Sequence, residues 1–201
     1  MKLSLIITAK DKNDPKLADL LRSIEPQDFP KDEMEVLVIT EGTSESAKAI
    51  GIRKAKGEVI GILASDNELI QRDSLRSLYE HANYYGAAYP IKYHYDKSDN
   101  ILNRYFALMG CNDPVAYYLR KCDKASHVFH GFNMQGTIGD NGYFIKKELI
   151  EKTDLDNYYH IDNAIEAGAH ITQAVPLTIW HKTGGNIFSF FRKRYRYGLQ
   201  H

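Results

Sequence analysis

Apolar residues along the first ninety positions follow two alternating rhythms. Leu3–Thr8 is a nearly continuous apolar run, and Glu35–Thr40, Val59–Leu63 and Ala87–Tyr93 repeat it, each bounded by polar or glycine-bearing turns. Runs of that length predict buried strands. Between them, Lys16–Ile24 sets Leu17, Leu20, Leu21 and Ile24 on one helical face, Ser44–Ala55 reads as a second helix, and Ser74–Tyr85 as a third that closes at Gly86. Apolar strands separated by helices imply an α/β fold, a mostly parallel sheet with helices on both faces. Ligands of such sheets bind beyond the carboxyl ends of the strands. The loops Thr8–Asp14, Thr40–Glu45 and Ala64–Glu68 occupy those ends, and each is polar.

The second half is less regular. Asn100–Leu108 and Pro114–Lys121 read as short helices, and Gly131–Gly142 as a loop rich in Gly, Asn and Gln. Tyr143–Ile145 is a short strand, Lys147–Lys152 a helical turn or two, and Ile161–Ala167 a helix stopped by Gly168. Ile171–Trp180 reads as a strand that Pro176 interrupts. No repeat, linker or low-complexity segment divides the chain, so residues 1–185 read as one domain. A tail, 186–201, follows it.

Composition narrows the function classes. At 201 residues the chain buries a core without staples, and Cys111 and Cys122 supply neither a disulfide framework nor a zinc cage. A reducing, cytoplasmic setting is expected. The chain contains 26 basic and 26 acidic residues, so no overall field attracts nucleic acid. The tail departs from this balance: Arg192, Lys193, Arg194 and Arg196 face no acid within 186–201, leaving 22 basic against 26 acidic residues before it. That asymmetry points to a local anionic partner.

Gly57-Glu58-Val59-Ile60-Gly61-Ile62-Leu63-Ala64-Ser65-Asp66-Asn67-Glu68 sets a carboxylate at a strand end, where it can hold a divalent cation that bridges a diphosphate; a plain turn aspartate is the other reading. Its surroundings are Leu5-Ile6-Ile7-Thr8-Ala9-Lys10-Asp11, Val36-Leu37-Val38-Ile39-Thr40-Glu41-Gly42 and Gly51-Ile52-Arg53-Lys54-Ala55-Lys56-Gly57. In order and spacing these segments resemble the nucleotide-binding half of family 2 glycosyltransferases, which have the GT-A fold. Gly139-Asp140-Asn141-Gly142-Tyr143-Phe144, His160-Ile161-Asp162 and Ile179-Trp180-His181-Lys182-Thr183 extend the resemblance to the acceptor side. The implied halves are 1–95 for nucleotide binding and 96–185 for acceptor binding.

By that resemblance Thr8, Lys10, Asp11 and Glu41 would hold the base and ribose, Asp66 would be the remaining acid of the DxD motif, and His181 would join it at a Mg2+ or Mn2+ ion with the diphosphate. Two departures stand out: Ala64 replaces the first DxD acid, and Thr40-Glu41 replaces an Asp-Asp pair. The implied reaction moves a sugar from a nucleotide-diphosphate sugar to a lipid-linked or saccharide acceptor with inversion. A hydroxyl acceptor needs a carboxylate base, for which Asp162 is the candidate and Asp140 the second. A phosphate acceptor needs none.

The tail Phe188-Ser189-Phe190-Phe191-Arg192-Lys193-Arg194-Tyr195 suits an interfacial helix at an anionic membrane on the cytoplasmic side. Alternatively, Arg192 and Arg194 reach the donor's diphosphate, or the segment is a solvated helix. It also resembles the stretch joining the catalytic domain to the bilayer in membrane-bound relatives, which implies a longer protein. The rival functions are a non-catalytic nucleotide-sugar-binding module and a sugar-1-phosphate nucleotidyltransferase. The latter lacks its Gly-rich phosphate loop after the first strand.

Overall fold

A computed structural model describes residues 1–109, 126–128, 142–150, 171–181, 188, 191, 192 and 195. In chain order its main elements are β1 (Leu3–Thr8), α1 (Pro15–Ile24), β2 (Met34–Ile39), α2 (Ser44–Lys54), β3 (Val59–Ala64), β4 (Asn67–Leu69), α3 (Ser74–Tyr85), β5 (Ala87–His94), α4 (Ile101–Met109), β6 (Ser126–Val128), β7 (Tyr143–Lys146) and β8 (Ile171–His181). A single helical turn, Lys147–Ile150, follows β7. The helices predicted at Pro114–Lys121 and Ile161–Ala167, and most of the Gly131–Gly142 loop, lie outside the described residues.

The strands form one sheet in the order β2-β1-β3-β7-β5-β8-β4, with β6 on β8. β1 is parallel to β2 and β3, as the apolar runs predict; β7 runs antiparallel between β3 and β5. β5 and β8 are again parallel. Successive residues of β1 and β3 are buried on both faces, Leu5, Ile6 and Ile7 on one strand and Ile60, Ile62 and Leu63 on the other, because helices cover both sides.

Two predicted features differ. Pro176 does not interrupt β8, which runs unbroken from Ile171 to His181. The ladder shifts there instead: Pro90 pairs with Val175 and Lys92 with Thr178, so β8 carries one extra residue around Pro176. A residue with no N–H to donate is accommodated at such a bulge. Ala64–Glu68 is not all loop either. Only Ser65 and Asp66 turn, and Asn67–Leu69 is β4 on the edge of β8.

That short turn constrains the shape of the sheet. Three strands separate β3 from β4 in the sheet order, about 19 Å if flat, whereas the three steps from Ala64 to Asn67 reach about 11 Å at most. The sheet therefore curls, bringing the carboxyl end of β8 back beside that of β3. Gly142 lies in the seam. Its N–H donates to Ile62 O at 3.1 Å, its φ is +76°, and a Cβ would meet Pro90 Cγ at 3.0 Å and Ile179 Cδ1 at 3.2 Å.

Candidate active site

Three strand ends meet at one edge. Thr8 stands in register with Ile39 and Ala64; Ala9 N–H donates to Ile39 O and Ser65 N–H to Thr8 O, each at 3.0 Å. These bonds lock the loops after β1, β2 and β3 to one another. Thr8 is half-buried, while Lys10, Asp11 and Glu41 are exposed. Asp11 accepts the Asn13 N–H at 3.0 Å, which shapes the loop toward Asp14. Asp14 then caps α1 by accepting the Lys16 N–H at 2.9 Å, with Pro15 as the first helical residue.

After β2, Gly42 at φ +79° swings the chain into Thr43, which forms a reciprocal cap with Ser46 on α2. The amino termini of α1 and α2 thus open onto the edge that carries Thr8 and Glu41. Such ends favour anions through unpaired N–H groups and the helix dipole.

Asp66 sits in the β3–β4 turn, half-buried, with its Oδ1 sealed from solvent. Asn67 is buried, and its side chain accepts the Ala64 N–H at 2.9 Å, which fastens the turn. Across the β4–β8 ladder Asn67 pairs with His181. Curling of the sheet therefore brings the backbones of Asp66 and His181 together across 115 intervening sequence steps. Among the described residues no group of three or more His, Cys, Asp or Glu stands ready for a metal. One carboxylate and one imidazole position suit a divalent cation only when phosphate oxygens and water complete its shell.

Asp162, Asp140 and Arg194 lie outside the described residues. Arg192 is in helical backbone and exposed.

The sequence reading passed over two residues here. Lys48, in the first half of α2, is only 5% exposed between the buried Ala47 and Ala49. A buried ammonium requires acceptors or an anion nearby, yet in sequence it looks like any solvated helix lysine. Asn67 reads as a loop polar residue, and only its 1% exposure reveals its fastening role.

No protein-family model matches the chain, and no curated protein matches it by sequence. Solved structures do match. The mannosyltransferase PcManGT from Pyrobaculum calidifontis, in complex with GDP-Man and Mn2+, superposes with a TM-score of 0.61 at 18% identity, over 96% of this chain and 60% of that one. S. aureus TarS 1-349 in complex with UDP-GlcNAc gives 0.55 at 14% identity, over 94% and 61%. A crystal structure of S. aureus TarS gives 0.55 at 12%, over 90% and 36%. The fold is the GT-A type of nucleotide-diphospho-sugar transferases. The chain spans 36% to 61% of the lengths of these structures.

Proposed function

We propose that the chain is the catalytic domain of an inverting glycosyltransferase that moves a sugar from a nucleotide-diphosphate sugar to a lipid-linked or saccharide acceptor. One observation carries the reading: β4 pairs with β8 so that Asp66 and His181 converge where the carboxyl ends of β1 and β3 meet the amino termini of two helices. Two fold neighbours solved with UDP-GlcNAc and with GDP-Man and Mn2+ support it.

In this reading Thr8, Lys10, Asp11 and Glu41 hold base and ribose. Lys48 adds positive charge below the loop after β2. Asp66 and His181 would hold Mg2+ or Mn2+, which would supply positive charge to a diphosphate leaving group. Asp162 takes the acceptor's proton, with Asp140 as the second candidate. The basic aromatic tail sits on an anionic membrane surface at its cytoplasmic side, near a lipid-linked acceptor.

Calorimetric titration of UDP and GDP, with and without Mn2+, tests the donor site. Saturable, manganese-enhanced binding is expected, and absence of binding to either nucleotide refutes the reading. A rival reading, a sugar-nucleotide-binding module without catalysis, draws on Ala64 and Thr40, which stand where the glycosyltransferases that the sequence resembles carry acids. Transfer from radiolabelled donor separates the two.

A further inference from the structure

β4 stands last in the sheet order, so β8 covers only one of its sides. α1 packs against the strand as well. Ser23, near the end of α1, donates its hydroxyl to Leu20 O at 2.7 Å, and the same oxygen accepts the Leu69 N–H at 3.1 Å. Leu69 is buried, and a buried N–H needs such an acceptor. Gln27, just beyond α1 and also buried, continues the seam. Its Nε2 donates to Gln71 O at 2.9 Å and to Ser23 O at 3.2 Å, while its Oε1 accepts the Leu75 N–H at 3.2 Å in the first turn of α3. Asp28 N–H donates to Arg72 O at 3.0 Å. Backbone groups of Leu69, Gln71, Arg72 and Leu75 are thus all fastened to one short segment, residues 23–28.

We propose that Ser23 is a positioning residue for the Asp66–His181 pair, a role that rests on the sugar-transfer reading above. Its bonds go to α1 and β4, so it acts through the strand rather than on a ligand. β4 has only three residues, against about five or six in an ordinary strand, and its ladder with β8 alone holds it weakly. The Ser23 bond pins the outer side of β4, and the register of Asn67 on His181 then sets the adjoining Asp66 beside the end of β8. α1 carries the constraint further. It is a rod of ten residues, about 15 Å long, whose amino end is capped by Asp14 directly after the loop of Thr8, Lys10 and Asp11. One helix therefore joins the loop assigned to base and ribose to the strand that places the metal turn, and fixes the separation between them.

Calorimetric titration of UDP and GDP into the full chain, each with and without Mn2+, gives the factor by which the cation tightens nucleotide binding. Ser23→Ala is expected to shrink that factor about tenfold, as loss of a group that orients metal ligands does, and to leave affinity without Mn2+ unaltered. Ser23→Thr keeps a hydroxyl able to bond the helix carbonyl and is expected to retain the parental factor. Ser4→Ala, which loosens the opposite end of the sheet, is expected to lower the unfolding midpoint and leave the factor intact. An intact factor in Ser23→Ala overturns the proposal, as does an equal loss in Ser23→Thr or in Ser4→Ala. Should Ser23→Ala not fold, Ser23→Cys decides in its place, because its sulfur accepts only weakly; an intact factor there is equally fatal. Nucleotide binding that Mn2+ does not tighten in the parent overturns this proposal and leaves the donor site standing. Failure to bind any nucleotide overturns the sugar-transfer reading and this one with it.

Discussion

At the residue scale, two carboxylates show how environment sets a role. Glu35 lies at the end of the sheet opposite the site, where it accepts Ser4 Oγ–H at 2.6 Å and the Lys56 N–H at 2.7 Å. Burial opposes its ionisation, but these hydrogen bonds outweigh burial and hold the carboxyl below its ordinary value of 4.5. Its contribution to stability is therefore present above that value and lost as pH falls through the lowered folded one. Acid unfolding of Glu35→Gln should accordingly show a shallower pH dependence in that window than the parent, and an unchanged profile counts against this. Ser4 Oγ also accepts the buried Gly57 N–H at 2.7 Å, so Ser4→Ala should cost about 1–3 kcal/mol in urea denaturation.

In the proposed reading Asp66 serves function instead. Asp66→Asn keeps its size and removes its charge, and should erase the manganese enhancement of nucleotide binding while leaving the unfolding midpoint near the parent's. Unchanged manganese dependence by calorimetry refutes its assignment. Asp162→Asn should bind donor normally and transfer about a hundred to ten thousand times more slowly. Near-parental transfer shifts the role to Asp140 or to an acceptor that is already an anion.

At the element scale, long apolar runs were legible and short polar strands were not. Leu3–Thr8 and Val59–Ala64 carry their burial in their composition. Asn67-Glu68-Leu69 has two polar residues in three and becomes a strand only because β8 has an open edge there. The local fastening of that turn is testable. Asn67→Ala removes the acceptor for Ala64 N–H and should both destabilise the fold by about 1 kcal/mol and weaken manganese-dependent nucleotide binding, because Asp66 loses its fixed position. Equal nucleotide affinity in that variant means that the turn does not position Asp66. Gly57 makes the opposite kind of demand. A Cβ there meets Ser4 N at 2.5 Å and Leu3 C at 2.7 Å, both backbone atoms that cannot swing aside, so Gly57→Ala should lower the unfolding midpoint clearly.

For the whole molecule, the tail sets apart a domain of mild negative charge from a cationic aromatic segment. Phe188, Phe191 and Tyr195 are 80%, 61% and 70% exposed, and Arg192 is exposed as well. Among the described residues no helix is long and apolar enough to cross a membrane. Each Lys or Arg at an anionic bilayer contributes about 1 kcal/mol, screened by salt. Replacing Arg192, Lys193 and Arg194 with Glu should abolish sedimentation with anionic liposomes at low salt and leave nucleotide binding intact. Loss of nucleotide affinity without lipid would instead tie the tail to the diphosphate, and retention of both would leave it a solvated helix.

The sequence by itself determined the strand–helix alternation, the parallel character of the sheet formed by its apolar strands and the polar loops at their carboxyl ends, since apolar periodicity reports burial and burial follows from local composition. It also singled out Asp66 and His181, but only by resemblance. Their meeting was decided by the tertiary structure: a two-residue turn too short to cross a flat sheet forces the sheet to curl, and β4 finds the edge of β8. Burial of Lys48 and the continuity of β8 through Pro176 were decided there as well. Each depends on which strand lies beside which, and pairings between residues far apart in the chain leave no periodic mark within it.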